Sequence, residues 1–240
     1  MRAIFIEHDH VSEGGPIWDQ FKKRGYEITR FVIVGKDDIK NPNVTVTWPN
    51  LLDFDVVVVM GAPYAAYDDK GVGNWLIPEP AKVKEVHNAG IPILGICFGG
   101  QLMARILGGT VERSPYAELG WYEIESSNEK LIPRGPWFQY HWDRFTVPPL
   151  ATQIAKTDLC PQAFVYGRTL GLQFHPEIDP HVLDLWLEME GGCAEVESEG
   201  VDVKALREQT KKLEPETNQR GYDLVDQFLD QIATAPVKTI

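Results

Sequence analysis

In the segment Ile91-Pro92-Ile93-Leu94-Gly95-Ile96-Cys97-Phe98-Gly99-Gly100-Gln101, an apolar strand gives way to a helix at a cysteine. A sharp strand-to-helix turn projects its central side chain out of the sheet, and Gly95 and Gly99 remove the Cβ atoms that would crowd it. The first turn of the helix adds unpaired backbone N–H groups and a partial positive charge, which favour an anion and can hold a developing oxyanion. That is a setting for a thiol nucleophile. Such a nucleophile needs a base, and the base needs a group that fixes its tautomer and stabilises its cationic form. Gly171-Leu172-Gln173-Phe174-His175-Pro176-Glu177 offers both. His175 follows a predicted strand, Pro176 stiffens the turn, and Glu177 lies two residues on, where its carboxylate can reach the imidazole. Cys160 and Cys193 have no comparable context.

The elements that must position these groups are visible as changes of period. Up to Ile96, short β-branched runs alternate with longer amphipathic stretches: strands at Ala3 to Glu7, Glu27 to Val34, Val56 to Met60 and Ile91 to Ile96, helices at Ile17 to Arg24 and Trp75 to Asn88. This alternation predicts an α/β fold, a mostly parallel central sheet flanked by helices. Val56-Val57-Val58-Val59 is apolar without alternation, as a strand buried on both faces should be. Between Gly109 and Gln173 the runs shorten and alternate (Gly120 to Glu125, Trp137 to Trp142, Gln153 to Thr157, Ala163 to Tyr166, Thr169 to Phe174), which predicts an antiparallel insertion. From Pro180 the chain turns helical, with Leu224, Val225, Phe228 and Ile232 on one face of a last helix and the charged stretch Gly191 to Arg220 read as a solvated loop and surface helix. No linker or repeat divides the chain, so residues 1–240 are expected to form a single domain with a helical part over 180–240.

Composition excludes several function classes. The 240 residues are 43% hydrophobic and 24% charged, the make-up of a globular chain with a sizeable core. A formal charge of −12 repels phosphate backbones and anionic lipid, so no nucleic-acid partner is expected. No apolar run approaches the roughly 18 residues of a membrane span, and the amino terminus has no signal-peptide pattern; with three cysteines, an odd number, a cytoplasmic location is expected. His8 and His10 alternate, but no cysteine or carboxylate cluster completes a metal site, and no metal is expected. Gly71 and Gly73 lack the lysine and the serine or threonine of a phosphate-binding loop, so no ATP or other cofactor is expected.

Taken together, the two motifs resemble those of the class I glutamine amidotransferases, the Cys-His-Glu triad type. Gly95 to Gln101 is similar to that family's nucleophile motif and Gly171 to Glu177 to its His-Pro-Glu motif. Leu107-Gly108-Gly109-Thr110-Val111, Glu118-Leu119-Gly120-Trp121 and Gln139-Tyr140-His141-Trp142-Asp143 resemble the intervening stretch of stand-alone members similar to the amidotransferase domain of GMP synthetase. The resemblance covers about 56–186. It implies a flavodoxin-like, class I glutamine amidotransferase-like fold, with Cys97, His175 and Glu177 as the catalytic triad. It further implies an oxyanion hole from the Phe98 N–H and the Gly61-Ala62-Pro63 loop, and substrate contacts at Gln101, Tyr140 and His141. Ala62 stands where the family usually has a second glycine, and Tyr140 where it often has serine.

The activity implied is hydrolysis of the glutamine side-chain amide to glutamate and ammonia through a cysteine thioester. No second domain that would use the ammonia is expected within the chain, so a separate synthetase or acceptor subunit is the implied partner. Two alternatives stay open: a γ-glutamyl peptide hydrolase using the same triad, and a non-catalytic regulatory or binding subunit. The oligomeric state is open.

Overall fold

The computed structural model describes residues 1–189 and 191–240. Its strands are β1 (Arg2–Glu7), β2 (Glu27–Val32), β3 (Val56–Val59), β4 (Ile93–Ile96), β5 (Val111–Glu123), β6 (Glu125–Ser126), β7 (Pro136–Phe145), β8 (Thr152–Lys156), β9 (Pro161–Tyr166) and β10 (Thr169–Leu172). The helices are α1 (Gly15–Lys23), α2 (Gly73–Leu76), α3 (Glu79–Asn88), α4 (Phe98–Ile106), α5 (Pro180–Glu188), α6 (Gly192–Ser198) and α7 (Val203–Gln227). Eight strands form one sheet in the order β2-β1-β3-β4-β10-β9-β8-β6, and β5 pairs with β7 as a separate ribbon.

The interior strands are those whose sequences are apolar without alternation. Every residue of β3, β4 and β10 is buried, whereas β2, at the edge, is largely exposed. A strand covered on both faces has no solvent side to which polar residues could be assigned. Phe5, Val58, Leu94 and Leu172 face one core with Ile17, Phe21, Leu224 and Phe228. Ile4, Ile6, Val57 and Val59 face the other with Trp75, Val83, Leu102 and Met103. A third cluster joins Phe138 of the ribbon to Val182, Leu183, Val196 and Leu206 of the C-terminal helices.

Three details differ from the sequence expectation. The helix predicted over Trp75 to Asn88 is two helices, α2 and α3: Pro78 caps α3 and Pro80 stands in its first turn, where proline is tolerated, but neither fits inside one continuous helix. Within the antiparallel region, β10 pairs antiparallel with β9 but parallel with β4, so it is a core strand of the main sheet. The stretch read as a solvated loop and surface helix holds α6 and most of α7, which starts where the Asp202 carboxylate accepts from Ala205 N at 3.0 Å. Val203, Leu206 and Thr210 are buried there. Among the described residues no helix is long and apolar enough to cross a membrane.

The parallel register sets the site. Leu172 pairs with Ile96, and the N–H of Cys97 donates to the carbonyl of Leu172 at 2.9 Å, so β4 and β10 end side by side. A Cβ on Gly100 would overlap the Leu172 carbonyl oxygen, and one on Gly99 that of Val59. Gly100→Ala is therefore expected to destabilise the fold by about 1–3 kcal/mol, the range for overpacking a filled core, read as a lower urea midpoint at unchanged slope.

Candidate active site

Cys97 closes β4 and caps α4 with φ 49° and ψ −103°; among the described non-glycine residues it alone has positive φ. Such backbone typically costs on the order of 1–3 kcal/mol and persists only where the surroundings over-determine it. Here they do: the Leu172 carbonyl holds the Cys97 N–H, and the close approach of Gly99 to Val59 and of Gly100 to Leu172 fixes the first turn of α4. The side chain is thereby turned into a cavity that His175 also lines.

His175 lies just beyond β10. Its N–H donates to the carbonyl of Phe138 on β7 at 2.8 Å, so sheet and ribbon together hold its backbone. Nδ1 is 2.7 Å from Glu177 Oε1, with both side chains buried. Nε2 is buried and accepts or donates no hydrogen bond among the described residues, and Cys97 lines the same cavity as the ring. Burial disfavours the imidazolium, but Glu177 and Cys97 outweigh it and raise the His175 pKa from 6.5 to about 10. His175 is thus a cation at neutral pH, able to give a proton. The edge of Trp186 packs on its ring, centroids 4.9 Å apart.

Two cavities meet at Cys97. The smaller, about 190 Å³, is lined by Phe98, Gln101, Arg113, Tyr140, His141 and Asp143. The larger, about 380 Å³, is lined by His175 and Gly61 together with Asp9, Val11, Trp186 and Met189. Ala62, Pro63, Tyr140 and Glu195 border both. All three oxyanion residues expected from the sequence therefore stand at the cavities, as do Gln101, Tyr140 and His141. Gln101 does not hang free: its Nε2 donates to the Asp143 carbonyl at 3.2 Å and to Gln173 Oε1 at 3.4 Å. Burial pushes the Tyr140 hydroxyl pKa up.

Several neighbours of the site are not apparent as such in the sequence. Gln173 donates to the Cys97 sulfur at 3.7 Å; its signal is the two-residue spacing that puts it on the same side of the chain as His175. His8 is fully buried on the rings of Phe98 and Trp75, its Nδ1 3.1 Å from the Gly61 carbonyl and its Nε2 3.0 Å from Glu79 Oε1. A carbonyl can only accept, so Nδ1 carries the proton. Because the peptide is planar and trans, a Gly61 C=O held by His8 turns the Ala62 N–H the opposite way. Asp9 and Glu195 reach the cavity from β1's end and from α6, and no local pattern marks them.

Among the described residues one set offers ligand atoms close enough to share a metal. Glu118, His141 and Cys160 are buried with ligand atoms within 4.8 Å of one another. Their lone pairs are already engaged: Gln162 Nε2 donates to Glu118 Oε2 at 3.0 Å and to Cys160 Sγ at 3.5 Å, and His141 Nε2 lies 3.1 Å from Glu118 Oε2. Burial, reinforced by Glu118, pushes the Cys160 thiol up to about 12, which keeps it protonated rather than a thiolate ligand. The cluster fits a hydrogen-bond network better than a metal centre.

The family described as glutamine amidotransferase class-I matches residues 17–186. The glutamine-hydrolysing GMP synthase of Clostridium perfringens is 33% identical over 132 residues, 51% of this chain and 24% of that protein. Its counterpart from Aeropyrum pernix is 39% identical over 116 residues, 42% of this chain and 22% of that protein. The chain thus spans about a quarter of the length of these curated relatives. A glutamine amidotransferase from Thermotoga maritima superposes with a TM-score of 0.82 at 27% identity, covering 96% of this chain and 99% of that one. A glutamine amidotransferase from Methylobacillus flagellatus has the same fold, with a TM-score of 0.77 at 20% identity over 96% of this chain and 95% of that one.

The raised pKa of His175 has a checkable sign. Its folded value lies above the unfolded one, so the stabilisation is complete below about 6.5 and is lost as pH rises through about 10. Titration of the His175 ring by NMR is expected to show a midpoint well above 6.5 in the wild type, lowered in both Glu177→Gln and Cys97→Ala. A midpoint that neither substitution moves would contradict the assigned cause.

Proposed function

The chain belongs to the class I glutamine amidotransferase family, and from that premise we propose that it hydrolyses the side-chain amide of glutamine through a thioester on Cys97 and delivers the ammonia to a separate acceptor enzyme. The observation that carries this reading is the convergence of Cys97 and His175 on one cavity, with Glu177 2.7 Å behind the imidazole. The relatives named as GMP synthases hydrolyse glutamine, which supports glutamine as substrate here.

In this mechanism the Cys97 sulfur attacks the γ-carbonyl carbon. The carbonyl oxygen becomes an oxyanion, received by the N–H of Phe98 at the start of α4 and by the N–H of Ala62. A helix start leaves its first N–H groups without intrahelical acceptors, so Phe98 can donate at no cost to the helix. His175, already cationic, gives its Nε2 proton to the departing nitrogen; the C–N bond breaks, ammonia leaves, and the glutamyl group remains as a thioester. Water then attacks the thioester while His175 takes its proton, releasing glutamate and restoring the sulfur. Glu177 keeps Nδ1 protonated and the ring oriented throughout. The glutamyl chain lies in the smaller cavity, where Gln101 is held by Asp143 and Gln173 and where Arg113 and Glu195 offer opposite charges to its carboxylate and ammonium ends.

Two measurements test the reading. Ammonia and glutamate release from glutamine is expected to fall by at least about 10³-fold in Cys97→Ala; equal rates would reject the mechanism. His8→Ala frees the Gly61 carbonyl and with it the direction of the Ala62 N–H. It is expected to lower kcat by about 10²-fold with little change in KM. His8→Asn, whose amide can still donate to that carbonyl, is expected to recover most of the loss.

A further inference from the structure

Glu118 and His141 stand opposite each other in the ribbon, register partners on β5 and β7 with both side chains buried. Neither takes part in the thioester steps. The polar atoms around the His141 ring are all acceptors. Nδ1 is 3.0 Å from the Asp143 carbonyl, and Nε2 is 3.1 Å from Glu118 Oε2 and 3.1 Å from Gln139 Oε1. The ends of the glutamine amides are ordered by a chain of donors: Gln139 Nε2 gives to Gln162 Oε1 at 2.9 Å, and Gln162 Nε2 gives to Glu118 Oε2 at 3.0 Å. Reversing one amide would set like atoms against each other, and reversing both would turn the Gln162 oxygen onto the carboxylate.

A neutral imidazole has one N–H and one lone pair. Here the lone pair would face oxygen whichever nitrogen bore it, and an unmatched polar atom is costly inside a protein. Only the doubly protonated ring satisfies both sides, and the Glu118 carboxylate balances its charge. The other titratable and charged neighbours leave this pairing intact. Cys160, beside Glu118, keeps its thiol proton; Asp143 turns its carboxylate to the Tyr67 hydroxyl and to Arg113; and Arg113, Glu195 and Cys97 line the smaller cavity with His141.

The pair reaches the cavity through one peptide. The Asp143 carbonyl that accepts from His141 Nδ1 also accepts from Gln101 Nε2 at 3.2 Å, and Gln101 Nε2 gives to Gln173 Oε1 at 3.4 Å as well. With its nitrogen engaged twice the Gln101 amide is oriented, and its oxygen is the end offered to a substrate in the smaller cavity. We propose that Glu118 is a positioning residue for glutamine: it holds His141 as an imidazolium, which fixes the Asp143 carbonyl and through it the Gln101 amide. This rests on the reading of the smaller cavity as the seat of the glutamyl chain. Without the carboxylate the ring gives up its second proton, Nε2 is left against an oxygen, and the ring no longer holds the carbonyl in place.

The test reads isotope-labelled histidine rings by NMR in the full chain at about pH 8, where an unperturbed imidazole is neutral. Both nitrogens of His141 are expected to carry protons in the wild type, and Nε2 to lose its proton in Glu118→Gln. That variant, with circular dichroism reporting that it folds, is expected to raise the KM for glutamine at least about tenfold and to keep kcat within about threefold, the pattern of lost substrate binding rather than lost chemistry. Cys160→Ser, which alters the same cluster but not its charge, is expected to leave both the ring and KM unchanged. A wild-type ring with one bare nitrogen overturns the proposal whether or not any variant folds. So does a KM unmoved in folded Glu118→Gln, or one raised as much by Cys160→Ser. A wild type that releases no glutamate from glutamine would remove the hydrolysis reading, while the ring protonation would still decide whether the ion pair exists.

Discussion

A single hydrogen bond, from the peptide N–H of Cys97 to the carbonyl of Leu172, ties together the two segments on which the site is built. It continues the parallel ladder of β4 and β10 one residue past the end of β4, into the elbow. Because the elbow is thereby a member of the sheet, its unfavourable backbone angles are borne by the whole ladder rather than by a loop. The glycines after it serve the same end. They allow α4 to pass so near β3 and β10 that the helix start cannot drift from the strand ends. A side chain on a freely moving turn would spend most of its time away from a partner on another segment; here separating Cys97 from His175 would require breaking the core sheet.

Electrostatics and packing act together around that junction. His175 is fully enclosed, which by itself would drive it neutral, yet the carboxylate at Nδ1 and the sulfur at Nε2 keep it charged. Enclosure strengthens both attractions by excluding water, so burial that opposes the cation also makes its partners more effective. Behind the sulfur, the amides of Gln173 and Gln101 and the main chain of Asp143 form a continuous polar line into the ribbon, whose Glu118 and His141 join Gln162 of β9 in a second buried network. The ribbon is therefore a support for the site as well as a wall of it.

Much of this was legible from residue types and periods. An unbroken apolar run marked β3 as an interior strand, glycine spacing marked the elbow at the end of β4, and the two-residue step from His175 to Glu177 put a carboxylate within reach of the imidazole. What was not legible depends on approach between distant parts of the chain. The run Thr169 to Phe174 reads as a strand of an antiparallel set, and nothing within it says that on one side it lies parallel to β4. The charged surface of α7 concealed its buried stripe of Val203, Leu206 and Thr210 because charged residues outnumber that stripe along the helix. His8 looked like half of an alternating pair because its partners, Glu79 and the Gly61 carbonyl, lie far along the chain and meet it only once β1, β3 and α3 are packed.

The loop Gly61-Ala62-Pro63 illustrates how unequal two adjacent positions can be. A Cβ on Gly61 would come within 3.2 Å of the His175 ring carbon Cε1, so any side chain there would press on the imidazole, while the backbone angle itself is one any residue adopts. Position 62 carries a methyl group without conflict. Substitution along this loop is accordingly constrained by the His175 ring at the first position and open at the second, where an alanine leaves the course of the main chain unchanged.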